Sequence, residues 1–240
     1  MYLKRMRLDK LLSNSKVGSR KEVKALIRER VVKVNGSIVD TPGLLVSPQS
    51  DVIEVGENKI EYREFHYIML NKPAGVVTAT RDRQHNTVID ILDDGFKFLD
   101  LFPIGRLDID TEGLLILTND GKLTHNLLSP KKLVPKIYFA IIDGILDKDD
   151  VEIFKKGIPL SKDYTSLPAR LNIIGANRAY ITIYEGKFHQ IKRMFEYINK
   201  EVIYLKRIQM GNLKLDETLS PGEARELTKY EIKLLKSSVD

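Results

Sequence analysis

Apolar positions along this chain form short runs whose spacing switches repeatedly between helical and strand periods. Leu8, Leu11 and Leu12 share one face of a predicted helix over Arg7 to Ser13. Ser19 and Glu22 form an S-x-x-E capping box ahead of Val23, Leu26 and Ile27, which predicts a second helix from about Arg20 to Arg30. Alternation in VVKVNGSIV around Asn35-Gly36 predicts a hairpin, and DVIEV and KIEY supply further short strands. Beyond a boundary around Ile60 to Phe65, HYIMLNKPAGVVTA reads as a strand (Tyr67 to Leu70), a turn and a second strand, with Lys72-Pro73 as a rigid turn. RDRQHNTVIDIL predicts a polar loop and a short helix packing Val88, Ile89 and Leu92. Leu114 to Thr118 is a short apolar run of buried-strand character, and Lys122 to Leu128 a helix ended by Ser129-Pro130.

Strands over Lys136 to Ile142 and Arg178 to Tyr184 follow, with a helix from Asp147, read as its N-cap, to Lys156. Ile191, Met194, Phe195 and Ile198 fall on one face of another helix, which leaves Lys192 and Glu196 elsewhere. The tail reads as strands around Tyr204 and Leu213, a turn at Ser220-Pro221-Gly222, and a helix opened by Thr228 and Glu231. Irregular alternation of helix and strand with hairpin spacings predicts an α+β chain. A small domain over residues 1–60 precedes a larger one over 61–240 with a mixed, largely antiparallel sheet flanked by helices.

Composition narrows this picture. The 240 residues are 42% hydrophobic and 30% charged, and no apolar run approaches the ~20 residues of a membrane span, so no membrane role is expected. The basic start lacks an apolar stretch followed by small residues, so it does not read as a secretion signal. The absence of cysteine excludes disulfides, thiolate metal sites and cysteine nucleophiles, and points to the reducing cytoplasm. Net charge is +6, but residues 1–36 hold 11 Lys and Arg against 3 Asp and Glu, and the remaining 204 residues hold 28 against 30. The basicity therefore belongs to the N-terminal segment, where Arg20, Lys21, Lys24 and Arg28 share a helix face with few acids between them. Such a face suits nucleic-acid phosphates better than a merely solvated role.

The candidate chemistry lies in GRLDIDTEGLLILTNDG, Gly105 to Gly121. Glycines punctuate it, an apolar strand pins it, and Asp108 sits between Arg106 and the apolar run. A loop so anchored holds a carboxylate rigidly. An ordinary Asp turn explains the same residues locally. Asp108, Asp110, Glu112 and Gly113 also match the start of a calcium loop, but Asn119 stands where that loop needs a bidentate Glu and the flank is strand-like.

RLDKLLS, SRKEVKALI and VKVNG over residues 5–55 resemble the S4 RNA-binding domain. KPAG (Lys72 to Gly75), GRLDIDTEGLL, KIY (Lys136 to Tyr138), EGKFHQIKRMF (Glu185 to Phe195) and SPGEARELTKYE resemble, in order and wording, the RsuA family of pseudouridine synthases. The resemblance implies isomerisation of a specific uridine in small-subunit ribosomal RNA by a monomer, with no metal or redox cofactor. It implies that Asp108 is the nucleophile, that Tyr138 stacks on the target base or moves a proton, and that Lys192 pairs with the Asp108 carboxylate. Arg106 is expected at the RNA, while His189 reads as a surface or capping residue. Two other functions fit the same residues: the same reaction on large-subunit rRNA, and a non-catalytic S4-type assembly factor.

Overall fold

The computed structural model describes residues 5–239, so Lys4, counted in the basic segment above, and Asp240 lie outside the described residues. The chain divides into two compact units. The first comprises residues up to His66 together with Leu92–Leu101, so the second unit, Tyr67–Ile91 and Phe102 onward, is interrupted in sequence.

In the first unit, helices Leu8–Asn14 and Arg20–Arg28 pack over a four-stranded antiparallel sheet ordered Ser37–Ile38, Val32–Val34, Ile53–Val55, Asn58–Lys59. Leu8, Leu11, Leu12, Val23, Ile27, Val32, Val46 and Ile53 form its core. Ser19 accepts from the Glu22 amide while Glu22 reaches back to the Ser19 amide, as the capping box requires. Burial of Val23 and Ile27 turns the basic face outward: Arg20, Lys21 and Arg28 are exposed and Lys24 half-buried. Arg20 also bonds Asp100 at 2.8 Å, an exposed ion pair that solvent screens.

The second unit is built on one mixed sheet. Its strands run Arg170–Gly175, Arg178–Ile183, Lys136–Asp143, Glu201–Met210, Glu112–Thr118, Tyr67–Lys72, Ala224–Glu226. Every neighbouring pair is antiparallel except Glu201–Met210 with Glu112–Thr118, which is parallel. Tyr67–Lys72 is buried along its whole length and Glu112–Thr118 beyond its first residue, which is why LLILT is uniformly apolar rather than alternating. Helices Gly121–Leu128 and Lys229–Lys236 cover one core through Leu123, Leu127 and Leu235, against Met69, Leu114, Ile116 and Met210. Asp120 caps the first of these helices by accepting from the Leu123 amide, and the Tyr67 hydroxyl donates to the same carboxylate at 2.7 Å.

Two expected elements do not form. In place of a helix over Val88 to Leu92, the Thr87 hydroxyl oxygen accepts from the Ile89 and Asp90 amides, while Asp90 accepts from the Thr87 amide and hydroxyl; this closes a side-chain turn, and the short helix comes later at Asp94–Lys97. The second strand after KPAG is reduced to an isolated bridge, Val77 with Thr87. Its Thr78 is drawn instead to the backbone of Leu107. Strands Pro159–Ser161, Tyr164–Thr165, Arg170–Gly175 and Ala224–Glu226 escape the sequence reading because their residues are short or mixed in polarity.

One glycine makes the parallel pairing possible. Gly113 has φ +99°, and a Cβ there would lie 2.2 Å from the Arg207 carbonyl oxygen and 2.9 Å from its amide nitrogen. Gly222 has a similar φ of +94° but open space around it. Gly222→Ala is therefore expected to cost about 1–2 kcal/mol, the left-handed penalty alone. Gly113→Ala adds a backbone collision and is expected to exceed about 4 kcal/mol. Thermal melts of the two variants followed by circular dichroism check this, and equal shifts would contradict the packing.

Candidate active site

The loop that carries Asp108 is held from below by a buried amine. Lys72 ends the central Tyr67–Lys72 strand and has no exposed surface. Its Nζ donates toward the carbonyls of Pro73 (2.9 Å), Asp108 (3.1 Å), Ile109 (3.2 Å) and Thr111 (2.9 Å). Three protons serve four acceptors, so at least one bond is shared. The Gly75 amide donates to Ile109 O at 2.8 Å, the Thr78 hydroxyl to Leu107 O at 2.8 Å, and the Thr111 amide to Asp108 O at 3.1 Å. Burial pushes the Lys72 amine down to about 8, against the opposing pull of Asp110, Glu112 and Asp108. Neither the rigid turn predicted at Lys72-Pro73 nor the KPAG motif points to this anchoring role; the signal is a lysine inside a buried strand.

Above the loop opens a cleft of about 480 Å³, within the range of small-molecule sites. Asp108, Arg106, Tyr138, Lys136, Arg207, Glu185, Gln190 and Lys192 are among its lining residues. Tyr138, 7% exposed, comes from Lys136–Asp143 and faces Arg207 across the sheet register. Glu185 organises one side. It accepts from the Tyr164 hydroxyl, from the Leu167 amide at 2.8 Å and from Gln190 Nε2 at 3.2 Å. Its hydrogen bond pushes the Tyr164 phenol up to about 12. Gln190 in turn accepts from the Lys187 amide and opens helix Gln190–Tyr197.

The structure thus brings Asp108, Tyr138, Lys192 and Arg106 to one cleft, but it corrects the expected ion pair. Lys192 Nζ holds Asp110, at 2.7 and 2.6 Å from its two oxygens, rather than Asp108. The Thr111-to-Asp108 turn gives the two carboxylates different surroundings. The Asp110 side chain is 62% exposed where the compact ammonium reaches it. Burial raises the Asp110 pKa, yet the Lys192 hydrogen bond and charge outweigh it and leave the net value lowered. The basic side chain beside Asp108 is instead His189, whose Nε2 lies 3.7 Å from Oδ1, beyond hydrogen-bond range. His189 occupies the N-cap of its helix in the left-handed region (φ 48°), without a side-chain cap bond, and its ring stacks on exposed Phe188. A residue read as a surface or capping group is therefore placed beside the carboxylate. Lys136, Arg207 and Glu185 carry no role in the sequence reading.

Lys72→Met keeps the length and removes every donor. Amide exchange at Gly75 and Thr111, whose bonds frame the loop, is expected to rise, and turnover to fall by about 100-fold, the scale of a misplaced reacting group. Unchanged exchange would show that the amine does not hold the loop. The pH dependence has a definite sign. An amine near 8 when folded and near 10.5 when unfolded leaves the unfolded chain with the extra proton between those values, so stability rises from about pH 8 to 10. Lys136 shares the shift, so denaturant titrations of Lys72→Met should retain roughly half of that slope.

Comparison with known proteins identifies the family. Residues 66–197 match the family described as RNA pseudouridylate synthase, and residues 6–53 match the S4 domain. The chain is 45% identical to the uncharacterized RNA pseudouridine synthase YtzG of Bacillus subtilis (strain 168), over 96% of this chain and 98% of that one. It is 40% identical to ribosomal large subunit pseudouridine synthase B of the same organism, over 98% and 97% of the two chains. It is 39% identical to ribosomal small subunit pseudouridine synthase A of Escherichia coli (strain K12), over 95% and 98%. A crystal structure of a pseudouridylate synthase, 34% identical, superposes with a TM-score of 0.68 over 96% of this chain and 99% of the other. The chain belongs to the RNA pseudouridylate synthase family, in the RsuA-type branch that carries an N-terminal S4 domain.

Proposed function

We propose that this RNA pseudouridine synthase converts one uridine of small-subunit ribosomal RNA to pseudouridine, with Asp108 as the reacting carboxylate and Tyr138 as the platform for the target base. The observation that carries the reading is the anchored loop: Asp108 lines a cleft it shares with Tyr138, and the backbone behind it is fixed by Lys72. A uridine must leave its stack to reach such a carboxylate. Stacking on an aromatic ring, worth about 1–3 kcal/mol per base, compensates part of that cost. The reaction needs no oxidant and consumes no water, because the bond from C1′ to N1 is broken and the same base is rejoined to C1′ through C5. A carboxylate beside the sugar suffices for covalent or electrostatic assistance.

The basic face of the N-terminal unit, Arg20, Lys21, Lys24 and Arg28, is proposed to track phosphates, and Arg106 to meet the strand at the cleft. Similarity does not separate the two ribosomal subunits, since relatives named for the large and the small one are 40% and 39% identical. The wording HQIKRMF beside GRLDIDT favours the small subunit.

Asp108→Asn is nearly isosteric and removes the nucleophilic charge. On small-subunit rRNA transcripts it is expected to abolish pseudouridine formation while RNA affinity stays within about threefold. Wild-type turnover by this variant would refute the assignment. Modification by the wild-type chain of large-subunit rRNA alone would move the substrate to that subunit.

A further inference from the structure

Two buried cations flank Tyr138 on one face of the sheet. Lys136 precedes it by two residues on the same strand, and Arg207 is its cross-strand partner on Glu201–Met210. Arg207 is 2% exposed and donates from Nε to Leu114 O at 2.7 Å; its Nη2 is buried with no partner among the described residues. Lys136 is 7% exposed and donates to Val134 O at 2.8 Å. A guanidinium has five N–H donors and an ammonium three, so both cations hold donors in reserve. Leaving such a donor buried and unmade is unfavourable. Burial, and then the charge of Arg207, push the Lys136 amine down to about 8 against the opposing pull of Glu185. Glu185, in the same cleft, is already engaged by Tyr164, Leu167 and Gln190.

A wall of this kind suits a ligand that brings carbonyl oxygens or negative charge. Along an RNA strand the phosphates remain with the chain, at the mouth of the cleft where exposed Arg106 and Lys187 stand. The group that reaches buried Arg207 and Lys136 is the base. We propose that Arg207, supported by Lys136, donates to the carbonyl oxygens of the target uracil and stabilises the negative charge the base carries while it is detached from the ribose.

This inference rests on the pseudouridine-synthase reading. In that reaction the bond from C1′ to N1 breaks and its electron pair leaves with the base, giving a uracil anion delocalised over the ring and its carbonyl oxygens. C5 then bonds to C1′, N1 gains a proton and C5 loses one, with no net oxidation. Preorganised donors aimed at charge that develops inside a water-poor site contribute more to rate than to ground-state binding. Arg207 is thus a catalytic residue with a role separate from that of Asp108.

The test uses single-turnover conversion on in-vitro-transcribed small- and large-subunit rRNA. Arg207→Ala is expected to lower the rate by about 100-fold or more, as loss of an oxyanion donor does, with RNA affinity within about threefold of wild type. Guanidinium at low millimolar concentration should restore at least about tenfold of that loss, while urea, neutral and of the same shape, should not. A rate within about threefold of wild type, rescue by both solutes, or rescue by neither overturns the proposal. If Arg207→Ala does not fold, Arg207→Lys should run within about tenfold of wild type and Arg207→Met about 100-fold below it, and equal losses in the two overturn it. A wild-type chain inactive on both rRNAs would overturn the substrate reading and this inference together. An active wild type with an unaffected variant overturns the inference alone.

Discussion

The amine of Lys72 among four carbonyl oxygens is the interaction on which the rest of the site depends. An ammonium taken out of water is costly unless its donors are satisfied. Here they are satisfied by the backbone of the loop that presents Asp108. Loop and core strand are therefore tied at one point: displacing residues 108–111 would strand a buried charge, and removing the charge would strand several carbonyls. Gly75 and Thr78 add neutral ties from the same segment. The glycine at 113 lets the strand that follows the loop lie against the backbone of Arg207. Position of the carboxylate is thus a property of the sheet, not of a flexible connection.

The same sheet distributes charge across the cleft. Asp108 stands on the loop with His189 at 3.7 Å, and Lys192 is engaged by Asp110. Lys136 and Arg207 stand on the strands beside Tyr138, and Arg207 Nη2 has no partner among the described residues. Like-charged groups are kept buried only where the fold over-determines them, and Arg207 is held by Leu114 O on the neighbouring parallel strand. A substrate between the two sides would meet an anion toward its sugar and cations toward its base. That division matches a reaction in which electron density flows from the glycosidic bond into the ring.

Much of this was legible in the sequence because local chemistry and tertiary context agree. The Ser19/Glu22 and Thr228/Glu231 boxes, the Asn35-Gly36 hairpin and the apolar run at Leu114 to Thr118 each form as their residues dictate. Legibility failed where side chains compete with the backbone, as at Thr87 and Thr78, or where an edge strand such as Ala224–Glu226 has no apolar alternation to reveal it. Within the site, Asp108 stood out because glycines and an apolar strand frame it. Lys72 and Arg207 did not, since a cation next to polar neighbours reads as solvated unless its strand is known to be buried. The pairing of Lys192 turned on which of two carboxylates two residues apart faces the helix, a question of side-chain direction that spacing does not answer.

The decisive measurement is a structure of the intact chain bound to an rRNA fragment that carries its target uridine. The uridine is expected out of its stack in the cleft, its base against Tyr138 with carbonyl oxygens toward Arg207, and its C1′ about 3–3.5 Å from an Asp108 oxygen. Lys72 should remain on the carbonyls of Asp108, Ile109 and Thr111. A target nucleotide bound outside this cleft, or an Asp108 carboxylate turned away from the sugar, would contradict it.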